Sequence, residues 1–92
     1  MDYYGHFETI ARPKIRIPQF FKLTHYQRAK SLDEAKVAAL AADMLENGQK
    51  TPIMVRADGD RFVLVEGLHR LEAAKALGET RIEGYLVQPR RF

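Results

Sequence analysis

The clearest periodic stretch is "SLDEAKVAALAADMLENG", residues 31–48, where Val37, Leu40, Ala41, Met44 and Leu45 recur at i, i+3, i+4, i+7 and i+8. That spacing lines one face of an α-helix. Ser31 and Glu34 match a capping box, with Asp33 as the competing N-cap, and Gly48 stands where a left-handed C′ residue is expected. The period then changes. "TPIMVRADGDRFVLVE" places two β-rich runs around Asp58-Gly59, the pattern of a hairpin with a type I′ turn. Its second run, "FVLV", is apolar throughout, which predicts a strand buried on both faces. "LHRLEAAKALG" returns to helical spacing, with Leu71, Ala74 and Leu77 inward and Gly78 at the end. "TRIEGYLV" predicts a last strand. Upstream, "PKIRIP" alternates Ile15 and Ile17 with basic residues, a short half-buried strand closed by Pro18. "QFFKLTHYQRAK" has no clean period and reads as irregular. Residues 1–9 read as loose or packed, within an N-terminal arm over 1–14. The order is β-α-β-β-α-β, a small α+β domain with a mixed β-sheet and two main helices, covering 1–92 as one unit.

Composition narrows this picture. A chain of 92 residues buries about 60–65% of its unfolded surface, enough for one modest core. With 46% hydrophobic and 29% charged residues it is globular rather than disordered. It has no cysteine, which excludes disulfides, thiolate catalysis and Cys-ligated zinc. No apolar run approaches the roughly 20 residues of a membrane span. "MDYYGHFETIARPK" has no apolar core of a signal peptide. The expected location is the cytoplasm, with no membrane partner.

The net charge is +3 and the pI about 9.4, unevenly spread. Residues 1–30 carry six Lys/Arg against two acids, and six of the nine aromatics. Basic residues interleaved with aromatics suit nucleic acid. The same composition also suits an extension that packs its rings on the body and leaves its charges in water.

Candidate chemistry collects at "EGLHR", residues 66–70. Gly67 falls between a buried strand and a helix, where glycine permits a tight turn and close backbone approach. The first N–H groups of a helix have no internal partners and carry the positive end of its dipole, which favours an anion. His69 and Arg70 add donors beside it, Arg70 with a planar fork suited to phosphate oxygens. The alternative is structural: a turn glycine, a packed His69, and Arg70 paired with Glu66 or Glu72. Asp58 and Asp60 fit turn chemistry. No paired carboxylates, Ser-His-Asp set, metal-ligand spacing or Walker-type loop is present. His6 and His25 are isolated. In "THYQR", His25 and Arg28 stand just ahead of the first helix, where they would line a cleft if that segment folds over it.

"PIMVRADGDRFVLVEGLHRLEAAKALGETRIEGYLV" resembles the core of the ParB/sulfiredoxin superfamily: Pro-Ile-x-Val, a hairpin, Gly-x-x-Arg at a strand–helix turn, an Ala-rich helix ending in Gly, and a final strand. The similarity extends upstream through "IPQFFKLTHYQRAKSLDEAKVAALAADMLENGQKTP" and covers about residues 15–88. It implies a site for a nucleotide, ATP or CTP, with Mg²⁺ as a potential companion. Gly67, Leu68, His69 and Arg70 then surround the phosphates. Lys36 matches a sulfiredoxin lysine that approaches them. Gly48, Thr51 and Pro52 fall where ParB-like proteins contact the base. Glu66 is the best placed acid for holding Mg²⁺ through water or accepting a proton, with a salt bridge or a solvated strand end as its alternative.

Departures from the family restrict the chemistry. Leu68 stands where sulfiredoxin has its reactive cysteine, so sulfinic acid reduction is excluded. The turn is Gly-Leu-His-Arg instead of the Gly-Glu-Arg-Arg usual in partition-type ParB, and the 92 residues leave no room for a helix-turn-helix. Three functions stay open: a nucleotide-binding domain with weak NTP hydrolysis or a switching role, a DNA-binding accessory protein or ParB-like nuclease, and a non-catalytic protein-interaction module. A homodimer is compatible with a small sheet with apolar edges.

Overall fold

The computed structural model describes residues 7–17, 21–22 and 31–90. Its elements are β1 (Phe7–Ala11), β2 (Lys14–Arg16), β3 (Phe21–Lys22), α1 (Glu34–Asn47), β4 (Ile53–Asp58), β5 (Arg61–Glu66), α2 (Leu68–Ala76) and β6 (Arg81–Pro89). They form an α+β fold in which the strands lie in the order β1-β6-β4-β5-β3. The sheet is mixed: β4 pairs antiparallel with β5 and parallel with β6, and β3 runs parallel to β5. β6 is long enough to hold two strands in succession along one edge. β2 pairs with its residues 81–83, and β1 with its residues 86–89.

The core follows from the alternation seen in the sequence. Ile15, Ile17, Ile53, Val55, Leu64, Leu71, Ala74 and Ile82 form one buried cluster, with Met44, Phe62, Leu68 and Leu86 packed against it. Each fully buried Ile, Leu or Val contributes about 1.5–3 kcal/mol. In β5, Val63 and Leu64 are both buried although neighbouring strand residues face opposite ways, so the "FVLV" strand is covered on both faces.

Four sequence expectations change. Residues 7–11, expected within an arm, form an edge strand on β6. The segment expected to be irregular contains β3 at Phe21–Lys22. The hairpin turn is Gly59-Asp60 rather than Asp58-Gly59, because Asp58 still pairs with Arg61 and Gly59, at φ 62°, takes the first central position. That is the position where a type I′ turn first requires positive φ.

The fourth change is in α1. Val37, Leu40, Ala41 and Met44 are half-buried, but Leu45 is 77% exposed. α1 packs chiefly against α2 and buries no residue completely, so its contact seam is too narrow to reach Leu45. Asp33, not Ser31, is the N-cap: its carboxylate accepts the Lys36 N–H at 3.1 Å. Helix α1 therefore starts at Glu34, which stands at N1, two positions short of the N3 place from which a Glu closes a capping box.

Candidate functional site

The turn after β5 is set by Gly67. Its φ of 112° and ψ of 30° lie in the left-handed region, and it is buried. A Cβ there would stand 2.6 Å from Ile53 Cγ2 and 2.9 Å from Ile53 Cβ. Two independent constraints, backbone angle and space, thus require glycine. The chain passes tightly over the start of β4 and enters α2, whose first intrahelical bond runs from Leu71 N–H to the Gly67 carbonyl at 2.9 Å. The N–H groups of Leu68, His69 and Arg70 precede that bond and have no partner among the described residues. They lie at the positive end of the helix dipole.

His69 ties a second helix to this turn. It is 9% exposed, and its Nε2 accepts the backbone N–H of Asp33 at 3.2 Å. In this bond Nε2 is the acceptor and presents its lone pair, which leaves Nδ1 as the ring's N–H. Asp33 caps α1, and Lys36 is the third residue of that helix. The starts of α1 and α2 are therefore adjacent. Met44 and Gly48 from the far end of α1 line one cavity with Glu79, just beyond α2. The helices consequently run side by side in the same direction, with both N-termini at the Gly67 turn.

Lys36 is exposed and Arg70 half-buried, and neither makes an ion pair with another described residue. The pairing of Arg70 with Glu72 considered from sequence does not occur: Glu72 pairs with Lys75 at 3.4 Å. Glu66 is exposed at the end of β5, one residue before the turn. Leu68 turns into the protein and packs on the core cluster. Gly67, Leu68, His69, Arg70 and Lys36 are thus brought into one neighbourhood.

The residues assigned to the base side separate. Gly48 ends α1, about 20 Å along the helix from Asp33 at 1.5 Å rise per residue. It lines a cavity of about 420 Å³ with Lys14, Met44, Gln49, Arg81 and Glu83. Thr51 and Pro52 lead back to Ile53, the residue against which Gly67 packs. His25 and Arg28 lie outside the described residues.

Two contacts had no signal in the sequence. One is the Asp33 N–H to His69 bond, 36 residues apart. The other is a clamp by Gln49: Nε2 donates to the Glu83 carbonyl at 2.9 Å and to the Thr51 carbonyl at 3.2 Å, and Oε1 accepts the Glu83 N–H at 2.8 Å. The amide continues the β4–β6 pairing beyond Ile53 and holds the 48–52 loop on β6. Among the described residues no group of three or more His, Asp or Glu could hold a metal ion, and no helix is long and apolar enough to cross a membrane.

Solved structures share this fold. Sulfiredoxin from Arabidopsis thaliana aligns with a TM-score of 0.74 at 23% identity, covering 84% of each chain. The C-terminally truncated chromosome-partitioning protein ParB from Caulobacter crescentus, complexed with CTP-γ-S, aligns with a TM-score of 0.74 at 19% identity, covering 89% of this chain and 46% of that one. In sequence, the chain is 34% identical over 61 residues to the probable chromosome-partitioning protein ParB of Campylobacter jejuni. That match takes in 66% of this chain and 22% of the relative, so the chain corresponds to about a fifth of that protein. The model of the ParB N-terminal domain matches residues 8–91, nearly the whole chain. The element order, the glycine turn and the matched span agree, and the chain belongs to the ParB N-terminal domain family.

Proposed function

We propose that this domain binds a nucleoside triphosphate through its phosphates at the Gly67–Arg70 turn. The observation that carries the reading is the convergence of two helix N-termini, joined by the His69–Asp33 bond, beside an Arg70 and a Lys36 without ion-pair partners among the described residues. An anion there gains the N–H groups of Leu68, His69 and Arg70, the α2 dipole, the Arg70 fork and the Lys36 ammonium. CTP is the first choice over ATP, because a ParB of the same fold is complexed with a CTP analogue. Thr51 and Pro52, which lead to Ile53 beneath the turn, are the better placed of the base-side residues. Mg²⁺ would be held chiefly by the triphosphate, with Glu66 as the carboxylate beside the turn. Weak hydrolysis or a nucleotide-dependent switch, in a cytoplasmic setting, completes this reading.

Calorimetric titration with CTP, ATP, GTP and UTP, with and without Mg²⁺, tests it. Micromolar-range binding of CTP is expected. Arg70→Ala should weaken it by tenfold or more, about the 1.5–3 kcal/mol of a charge-assisted hydrogen bond, with the circular dichroism spectrum unchanged. Failure of every NTP to bind in the presence of Mg²⁺ refutes the proposal.

A second reading puts a DNA backbone phosphate at the same turn. The name of the Campylobacter relative favours it, as does the basic, aromatic N-terminal third. DNA binding would weaken steeply with salt in a gel shift. A shift at low salt that competes with CTP would assign both ligands to one turn.

A further inference from the structure

We infer that His69 is a positioning residue that latches the start of α1 to the Gly67 turn and so holds Lys36 over the site. His69 is the one buried polar or charged side chain among the described residues, and its long-range partner is a backbone N–H at the start of another helix. That N–H belongs to Asp33, whose carboxylate in turn accepts the Lys36 N–H at 3.1 Å. The chain of bonds therefore runs from the α2 turn, through the imidazole and the N-cap, to the residue that bears the ammonium. α1 has no fully buried residue and packs chiefly on α2. The contacts between the two helices are non-directional and involve no fully buried α1 side chain, so the directional bond at the α1 N-cap fixes how the two helix starts meet.

The latch also assigns the imidazole nitrogens. Nε2 is committed as an acceptor, which leaves Nδ1–H as the ring donor available to an anion. A Gln side chain at this position places an amide oxygen near the place of Nε2 and keeps the acceptor. An Ala removes it and leaves the Asp33 N–H without its partner.

The part of this inference that concerns Lys36 and phosphate rests on the nucleotide reading, whereas the latch itself does not. The full chain, labelled with ¹⁵N, should show a through-hydrogen-bond coupling between Asp33 N and His69 Nε2. In His69→Ala, hydrogen exchange at the Asp33 and Lys36 amides should speed up by about tenfold, and His69→Gln should restore most of the protection. Absence of the coupling, or exchange unchanged in His69→Ala, overturns the latch whether or not any nucleotide binds.

CTP titrations then test delivery of Lys36. Lys36→Ala should weaken binding about tenfold in the parent chain but less than about twofold in the His69→Ala background, the non-additivity expected when one residue acts through another. An equal cost in both backgrounds, or a Gln variant no better than Ala, overturns it. If the parent chain binds no NTP, the nucleotide reading fails and the delivery of Lys36 to phosphate fails with it, while the coupling and exchange measurements still decide the latch.

Discussion

Gly67 shows how one residue can set both the fold and the site. Its left-handed φ, and the 2.6 Å that would separate an added Cβ from Ile53 Cγ2, leave no place for a side chain. Gly67→Ala should cost about 2–5 kcal/mol, from backbone strain and overpacking together, as read from urea denaturation. On the proposed nucleotide reading, affinity for CTP should fall further than global stability alone explains, because the turn carries the N–H groups as well as the chain reversal. Leu68, one residue on, illustrates the opposite use of a position. Its apolar side chain packs on the core cluster, so the place of a reactive cysteine in sulfiredoxin-like chains is here a packing position.

At the scale of elements, α1 is the least firmly held of the two helices. Its N-cap is a carboxylate on the Lys36 N–H, so Asp33→Ala should lower stability by about 1 kcal/mol in thermal or urea unfolding. Its exposed Leu45 makes the reverse prediction: Leu45→Lys should change stability by no more than about 0.5 kcal/mol. Periodicity alone had placed Leu45 on the inward face. Helical spacing reports which residues share a side, but the width of the buried stripe depends on what packs there. A helix seated on a sheet buries a broad stripe, whereas α1 meets mainly one other helix and buries a narrow one. The strands behave differently. Alternation in "PKIRIP" and the continuous apolar run in "FVLV" were enough to place Ile15, Ile17, Val63 and Leu64 in the interior, because a strand's two faces are fixed by its pleat.

Across the whole molecule, the N-terminal segment is more integrated than its basic composition suggested. From Phe7 it forms β1, Gln88 donates to Glu8 at 2.7 Å, Arg90 donates to the Phe7 carbonyl at 3.1 Å, and Arg12 stacks over Tyr85 at 4.9 Å. Deleting residues 1–11 removes the strand beside Val87 and should destabilise the chain by about 2–3 kcal/mol in urea unfolding. Against the roughly 5–15 kcal/mol typical of a folded domain, that is a large share. A truncation meant to test the N-terminal charges in DNA binding should therefore retain Phe7 onward, so that loss of affinity is not loss of fold.

Both helices, the β4–β5 hairpin, the final strand and the strand at Ile15 were legible in the sequence, as was the glycine turn with His69 and Arg70 beside it. All are local: period, cap and turn residues act within a few positions of one another. The edge strand β1, the clamp from Gln49 to Glu83 and the bond from Asp33 to His69 join residues more than 30 positions apart and leave no mark on local spacing. Sequence alone determined that an anion-favouring helix start would follow Gly67. The family resemblance already implied that Lys36, early in α1, approaches that turn. Only the tertiary structure decided which bond joins the two helix starts, because a buried imidazole satisfies its lone pair with whatever N–H the packing of two helices brings within reach.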